Sequence, residues 1–150
     1  GYQGMAGGQA IDLASVGVPL NEAQLRQMHR LKTGALLLCS VQLGAVSAGK
    51  PSTLTFDAFT QYAQSLGLAF QVVDDILDVT SDSATLGKTA GKDAAADKPT
   101  YVSIMGLEQA QLLAAKLYSE SLAALDASGL NVTATAALRA LASQVVQRKN

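Results

Sequence analysis

The sequence is poor in cysteine, aromatic residues and charge, and each shortage argues against a class of protein. Cys39 is the only cysteine, so an internal disulfide is excluded and a reducing, cytoplasmic location is expected. Tryptophan is absent and aromatic residues make up 5 %, a composition that argues against a β-sandwich or barrel. Charged residues make up 15 % and the formal net charge is −1, so the whole chain shows no basic character suited to nucleic acid.

No membrane-spanning or secretory segment is expected. The longest apolar run, Ala35 to Ala48, is interrupted by Gln42 and is shorter than the ~20 residues that cross a bilayer. The first residues are glycine-rich and lack the basic region and apolar run of a signal peptide. The apolar run is therefore expected to be a helix buried in protein, with Cys39 as a small core residue.

Ala, Leu and Gln are plentiful and hydrophobic residues make up 49 %, which favours a single all-α domain. The apolar periodicity predicts five or six helices and no strand. Helices are expected from Glu22 to about Ala48, from about Ser52 to Thr80, over 101–106, from Glu108 to Ala127 and from Thr133 to Lys149. Asn21 and Gln24 match a capping box at the first of these. By propensity alone Tyr2 to Ser15 is a loop, because a glycine inside a helix costs ~1 kcal/mol.

Three carboxylates lie close together near the end of one predicted helix. At about 100° per residue, Gln71, Asp74, Asp75 and Asp78 fall within an arc of roughly 100°, and Gly67 leaves room beside them. Like charges at this spacing repel by ~0.2–0.5 kcal/mol per pair, and no lysine or arginine lies within one turn. A bound Mg²⁺ ion explains the arrangement, since it takes carboxylate and phosphate oxygens as ligands. A solvated acidic helix face is the alternative interpretation.

Lysines accompany this cluster in the sequence. Lys88 and Lys98 lie in a long polar segment after the acidic helix, and Lys32 precedes the apolar run. Lysine is a good phosphate partner, but the segment also fits a solvated linker, and Lys32 also fits a side chain that extends to the surface. A Walker P-loop is excluded, because the required glycine five residues before Gly87 is Asp82.

Four strings together resemble the trans-type polyprenyl diphosphate synthases, and among them the bacterial farnesyl and geranylgeranyl enzymes. In the family's order they are GMAGGQAIDL at 4–13, HRLKTGAL at 29–36, FQVVDDILD at 70–78, and GKT at 87–89 with DKPTY at 97–101. The resemblance covers nearly the whole chain. It implies the C-terminal portion of an isoprenoid-synthase-type helical bundle, with residues 2–15 helical despite their glycines.

The resemblance also implies a reaction. A prenyltransferase of this family condenses isopentenyl diphosphate with an allylic diphosphate, here by preference geranyl to farnesyl diphosphate. Asp74, Asp75 and Asp78 would hold Mg²⁺, for which Mn²⁺ could substitute. The residues expected to contact substrate are Lys32, Thr33, Gln71, Lys88, Lys98, Gln9 and Asp12, and catalytic roles would fall on Lys32, Thr33, Gln71 and Lys88. The intact enzyme would be a homodimer.

The family's first aspartate-rich motif has no match in this sequence. Residues 1–150 are therefore expected to be the C-terminal half of the domain, to expose apolar surface, to associate or to retain the other half, and to be inactive alone. The pocket floor that sets product length would also lie upstream. The alternatives are a geranylgeranyl or longer-chain synthase, a terpene cyclase, a non-catalytic subunit of a heteromeric synthase, or a helical metal-binding or scaffold module.

Three further residues are expected to have ordinary roles. His29, the only histidine, lies between Met28 and Arg30 and is expected to be a surface or boundary residue. The last predicted helix ends in Arg148 and Lys149, where cations suit the negative end of the helix dipole.

Overall fold

The computed structural model describes residues 1–80 and 98–148, and within these ranges the chain is helical with no strand. The helices are α1 (Met5–Ala14), α2 (Glu22–His29), a π-helical turn (Arg30–Gly34), α3 (Ala35–Ser47), α4 (Thr53–Thr80), α5 (Tyr101–Met105), α6 (Leu107–Asp126) and α7 (Ala136–Gln147). The predicted all-α fold is confirmed. None of the described helices is long and apolar enough to cross a membrane.

Helix α4 is the centre of the packing and contacts α3, α6, α7 and the π-helical turn. One buried cluster surrounds its C-terminal half and includes Leu25, Val72 and Tyr101. A second cluster surrounds its N-terminal half around Tyr62, whose hydroxyl donates to the carbonyl of Leu138 at 2.8 Å. The C-terminal end of α4, which carries the three carboxylates, thus belongs to a helix that packs against other helices on several sides.

Glycine at position 8 lets α1 approach the π-helical turn. A Cβ atom built on Gly8 would lie 2.1 Å from the backbone nitrogen of Lys32, so only glycine fits this crossing. The interpretation of residues 2–15 as a loop is therefore wrong for 5–14, and the helix implied by the family resemblance is confirmed. Packing against the turn outweighs the propensity cost of the glycines.

The predicted helix from Glu22 to about Ala48 begins as expected but changes its hydrogen-bonding pattern inside. Asn21 and Gln24 form a capping box with reciprocal hydrogen bonds of 2.9 and 3.0 Å. Residues 30–34 then form a π-helical turn, a feature that occurs often at functional sites. Gly67 of α4 packs against this turn, and a Cβ there would lie 3.3 Å from the Cα of Gly34. The space predicted beside Gly67 is thus filled by the backbone of the π-helical turn.

The expectation that the second half of this region is buried is wrong. No residue of α3 is buried; Leu36 and Leu43 are 63 % and 58 % exposed, and Cys39 is exposed. The helix is apolar on all sides but packs on α4 with one side only. Its outer side exposes apolar residues, and so do α1 and the loop that follows α1.

Candidate active site

The three carboxylates at the end of α4 lie in different surroundings. Asp75 is 6 % exposed, and one of its oxygens accepts the backbone N–H of Tyr101 at 2.7 Å. Asp74 is exposed, and Asp78 is half-buried. Asp75 therefore holds the start of α5 against α4, while Asp74 and Asp78, one turn apart, remain closer to solvent.

Arg148 relieves the charge of the acidic cluster, although no cation lies near it in the sequence. Its guanidinium donates to Asp74 Oδ1 at 3.0 Å and to the carbonyl of Phe70 at 3.1 Å. The same group stacks over the Phe70 ring, 4.2 Å from its centroid. The helix-dipole interpretation missed these contacts because they join residues far apart in the chain. No local pattern signals them.

Two of the predicted lysines share one carboxylate. Asp12 Oδ2 lies 2.8 Å from Nζ of Lys32 and 3.8 Å from Nζ of Lys98. The side chain of Asp12 is 10 % exposed, and those of the lysines are about one third exposed. Lys32 thus turns inward to an ion pair, and α1, the π-helical turn and the segment before α5 meet at this point.

For the remaining predicted residues, the structure gives the helix and the degree of burial. Gln71 is buried on α4, and Thr33 and Gln9 are half-buried on the π-helical turn and α1. Lys88 lies outside the described residues. Of the predicted set, the structure brings Asp12, Lys32 and Lys98 together.

His29 is buried, and the expectation of a surface or boundary role is wrong. The residue is 7 % exposed, and its ring stacks on Tyr101 with 5.8 Å between centroids. Burial lowers the pKa of His29 to about 4, a shift that the side chain of Gln71 partly opposes. Lys32, Asp12 and Asp74 are close enough to affect the same pKa. The imidazole is thus a neutral, buried group.

Tyr101 is the partner of His29 and is fully buried. Burial raises the pKa of Tyr101 to about 12, although Arg26 acts in the opposite direction. The phenol is therefore neutral at physiological pH and serves as packing for the imidazole. The sequence offered no sign of this pairing, because the two residues belong to different helices.

The carboxylates suit a metal that also takes phosphate ligands better than a metal held by protein alone. Among residues 1–80 and 98–148, no three acidic, histidine or cysteine side chains converge closely enough to hold an ion. Mg²⁺ commonly binds through one or two carboxylates plus substrate phosphates and water. Asp74 and Asp78, with their spacing of one helical turn, fit that type of site.

The fold and the site define an all-α protein with carboxylates at the end of one helix, two lysines at one buried aspartate and a buried histidine. The family model described as Polyprenyl synthetase matches residues 2–143. Farnesyl diphosphate synthase from Escherichia coli is 47 % identical over 150 residues, which cover 99 % of this chain and 50 % of the relative. The chain belongs to the polyprenyl synthetase family.

Other relatives carry different product names. The chloroplastic heterodimeric geranylgeranyl pyrophosphate synthase large subunit 1 of Arabidopsis thaliana is 44 % identical, with 100 % of this chain and 40 % of the relative covered. The crystal structure of a geranyltransferase from Helicobacter pylori complexed with magnesium and isoprenyl diphosphate has a TM-score of 0.75 and 35 % identity; 97 % of this chain and 46 % of that chain are covered. The chain spans about half the length of the relatives it matches.

Proposed function

We propose that this chain forms the diphosphate-binding half of a Mg²⁺-dependent trans-prenyltransferase of isoprenoid biosynthesis. The observation that carries the proposal is the meeting of Lys32 and Lys98 at Asp12. Cations and metal-binding carboxylates at one place are what a leaving pyrophosphate requires. The relative from Helicobacter pylori, complexed with magnesium and isoprenyl diphosphate, supports this assignment.

In the proposed reaction, the C–O bond of an allylic diphosphate breaks and pyrophosphate leaves with the electron pair. The double bond of isopentenyl diphosphate then attacks the allylic cation, a C–C bond forms, and a proton is lost from the adjacent carbon. When bound, Mg²⁺ neutralises charge on the departing phosphates. Asp74 and Asp78 are its proposed ligands, with Asp75 beside them holding Tyr101.

The lysines are proposed to stabilise the departing pyrophosphate together with the metal ion. Lys32 and Lys98 are held by Asp12 in the site, so they require little reorganisation when negative charge develops on the pyrophosphate. Lys88 is proposed as a third contact from sequence alone. Thr33 and Gln71 are proposed to lie along the allylic substrate, and Gln9 to line the cavity from α1.

For the product we propose farnesyl diphosphate, with geranylgeranyl diphosphate as the second candidate because relatives of both names match over the chain.

We further propose that the intact protein is a cytoplasmic homodimer. The exposed apolar side of α3, including Leu36 and Leu43, supports association of this chain in some form. Sedimentation at high concentration would test this, and a monodisperse monomer would contradict association of the chain.

Calorimetric titration of inorganic pyrophosphate into the chain, with and without Mg²⁺, tests the site. Binding should require Mg²⁺ and should be lost in Asp74→Ala. Asp57→Ala is the matched control, because Asp57 is an exposed aspartate nearer the opposite end of the same helix. Equal pyrophosphate binding in wild-type chain and Asp74→Ala would contradict the assignment of Asp74.

A further inference from the structure

A cavity of about 410 Å³ lies between α2, the π-helical turn, α4 and α6. Its volume is within the range of small-molecule sites in proteins, which is roughly 300–1,000 Å³. Four leucines form its apolar wall; Leu117 is buried and the others are half-buried, namely Leu31, Leu38 and Leu68. Among the described residues, none of those proposed to bind diphosphate or metal lines this cavity.

The cavity and the proposed diphosphate site meet the π-helical turn through different residues. Leu31 and Gly34 of the turn line the cavity, whereas the ammonium of Lys32 lies 2.8 Å from Asp12 of α1. A molecule in the cavity would therefore contact the turn without contacting that ion pair. The cavity is thus a second place at which a ligand can bind.

Two arginines of the cavity lie one helical turn apart. The backbone N–H of Arg30 donates to the carbonyl of Arg26, so the two side chains are neighbours on one helix face. Within residues 1–80 and 98–148, the other two arginines form ion pairs with aspartates, whereas Arg26 and Arg30 form none. Arg26 is close enough to Tyr101 to oppose the rise in its pKa, but the hydroxyl of Tyr101 has no hydrogen-bond partner.

An anion would stabilise this arginine pair. Two like charges at this spacing on a helix repel each other, and a ligand that binds both removes the repulsion. The planar guanidinium group donates paired hydrogen bonds to phosphate or carboxylate oxygens. The charge and the apolar wall of the cavity therefore favour a ligand with an acidic group on an apolar chain.

Glu120 is the one acidic side chain among the described residues of the cavity wall. It belongs to α6, across the cavity from the arginines of α2, and lies 3.9 Å from the ammonium of Lys116. Both members of that pair are exposed, so water screens it. The cavity thus carries two positive charges and one negative charge. An acidic group would bind at the arginine side, where the positive charge is.

We propose that this cavity is a second binding site, which takes a small amphipathic anion. Its phosphate or carboxylate group would lie at Arg26 and Arg30, and its apolar chain along Leu38, Leu68 and Leu117. The ligand is a dissolved molecule, because the buried Leu117 can be reached by a chain that enters between the helices and not by one that stays in a bilayer. The site is independent of the proposed function, since it uses none of the residues assigned to prenyl transfer.

Calorimetric titration of octyl phosphate tests the site, with octanoate as the carboxylate probe and octanol as the uncharged control. At least one of the two anions should bind saturably and at least tenfold more tightly than octanol, because a hydrogen bond to a charged group contributes about that factor. Failure of both anions to bind, or equal binding of octanol, would overturn the proposal.

Charge changes with opposite expected effects test the position of the acidic group. Arg30→Gln should weaken binding of the anion roughly tenfold, and Arg26→Gln should act in the same direction. Glu120→Gln should strengthen binding several-fold, because it removes the negative charge from the cavity. Arg139→Gln, an equal charge change on α7 outside the cavity, is the control and should leave the affinity within about twofold. An affinity that neither arginine variant lowers would rule out the site.

A fluorescent reporter locates the probe, because the chain contains no tryptophan. Gln64→Trp places one at an exposed position of the cavity wall, and octyl phosphate should change its emission. Asp57→Trp, exposed on the same helix outside the cavity, is the control and should not respond. An equal response of both tryptophans would contradict binding in the cavity.

Two comparisons separate this site from the diphosphate site and from a membrane surface. Lys98→Met should bind octyl phosphate as the wild-type chain does, and loss of binding in that variant would place the probe at the diphosphate site and overturn the proposal. The chain should not sediment with phosphatidylglycerol vesicles; sedimentation that Arg30→Gln abolishes would show a membrane surface instead of a dissolved ligand. Failure of Mg²⁺-dependent pyrophosphate binding would end the proposed function and leave this site standing.

Discussion

The guanidinium of Arg148 lies 3.0 Å from a carboxylate oxygen of Asp74, across 74 positions of sequence. It also donates to the carbonyl of Phe70 and stacks on the ring of the same residue. The carboxylate proposed to bind metal is thus paired with a protein cation. The proposed metal binding at Asp74 would compete with this ion pair.

Removing the arginine should therefore tighten Mg²⁺ binding while weakening the fold. In Arg148→Leu we expect a several-fold higher Mg²⁺ affinity in the presence of pyrophosphate. The free energy of unfolding should fall by about 1–2 kcal/mol through loss of the carbonyl hydrogen bond and the ring contact. Calorimetry and urea denaturation measure the two effects. Arg139→Leu, an equal charge change at the Asp126 ion pair, is the control and should leave Mg²⁺ affinity unchanged.

The crossing of α1 over the π-helical turn should tolerate no side chain at position 8. In Gly8→Ala the new Cβ would meet the backbone nitrogen of Lys32 at 2.1 Å, so we expect destabilisation of about 2–3 kcal/mol. Gly44→Ala is the matched control inside α3, where a Cβ would meet no atom within 4 Å. That variant should gain about 0.5–1 kcal/mol from helix propensity. Denaturant unfolding of both variants checks the pair, and similar effects of the same sign would contradict the crossing.

Stability should depend on pH through His29. Its folded pKa of about 4 lies below the unfolded value of 6.5, so the unfolded chain binds the proton first as pH falls. The folded chain therefore retains its full stability above about pH 6.5 and loses up to about 3 kcal/mol as pH decreases toward 4. Urea unfolding at pH 7 and pH 4.5 measures this loss. His29→Phe should show a smaller difference between the two pH values, and an equal difference would contradict the assignment.

Asp12 should be energetically coupled to Lys32. A double-mutant cycle of Asp12→Asn and Lys32→Met should give a coupling energy of about 1 kcal/mol, because the carboxylate is buried while the lysine remains partly exposed to water. Denaturant unfolding of the four chains supplies the cycle. Lys116→Met with Glu120→Gln, an exposed pair on α6, is the comparison and should show a smaller coupling. Strictly additive effects at Asp12 and Lys32 would rule out a stabilising ion pair.

Local patterns predicted most of the helices correctly, because their causes lie within a few residues. The capping box at Asn21 and Gln24 is formed, and the short helix α5 begins at Tyr101 as expected. The last helix begins at Ala136 rather than Thr133, because residues 132–135 form turns before it. At Gly8 in α1, the low helix propensity of glycine favoured a loop, whereas packing against the π-helical turn favoured a helix. The structure has the helix.

Taken alone, the sequence determined the helical class, the helix periodicity and the placement of three carboxylates near the end of one helix, since these depend on spacing along the chain. Only the tertiary structure decided that Asp75 is buried against Tyr101, that Asp12 joins Lys32 to Lys98, that α3 is half-exposed and that Arg148 reaches Asp74. The burial of His29 is the clearest case. Its environment is created by α4 and α5, distant in sequence, so desolvation and stacking at that ring follow from packing and from no local pattern.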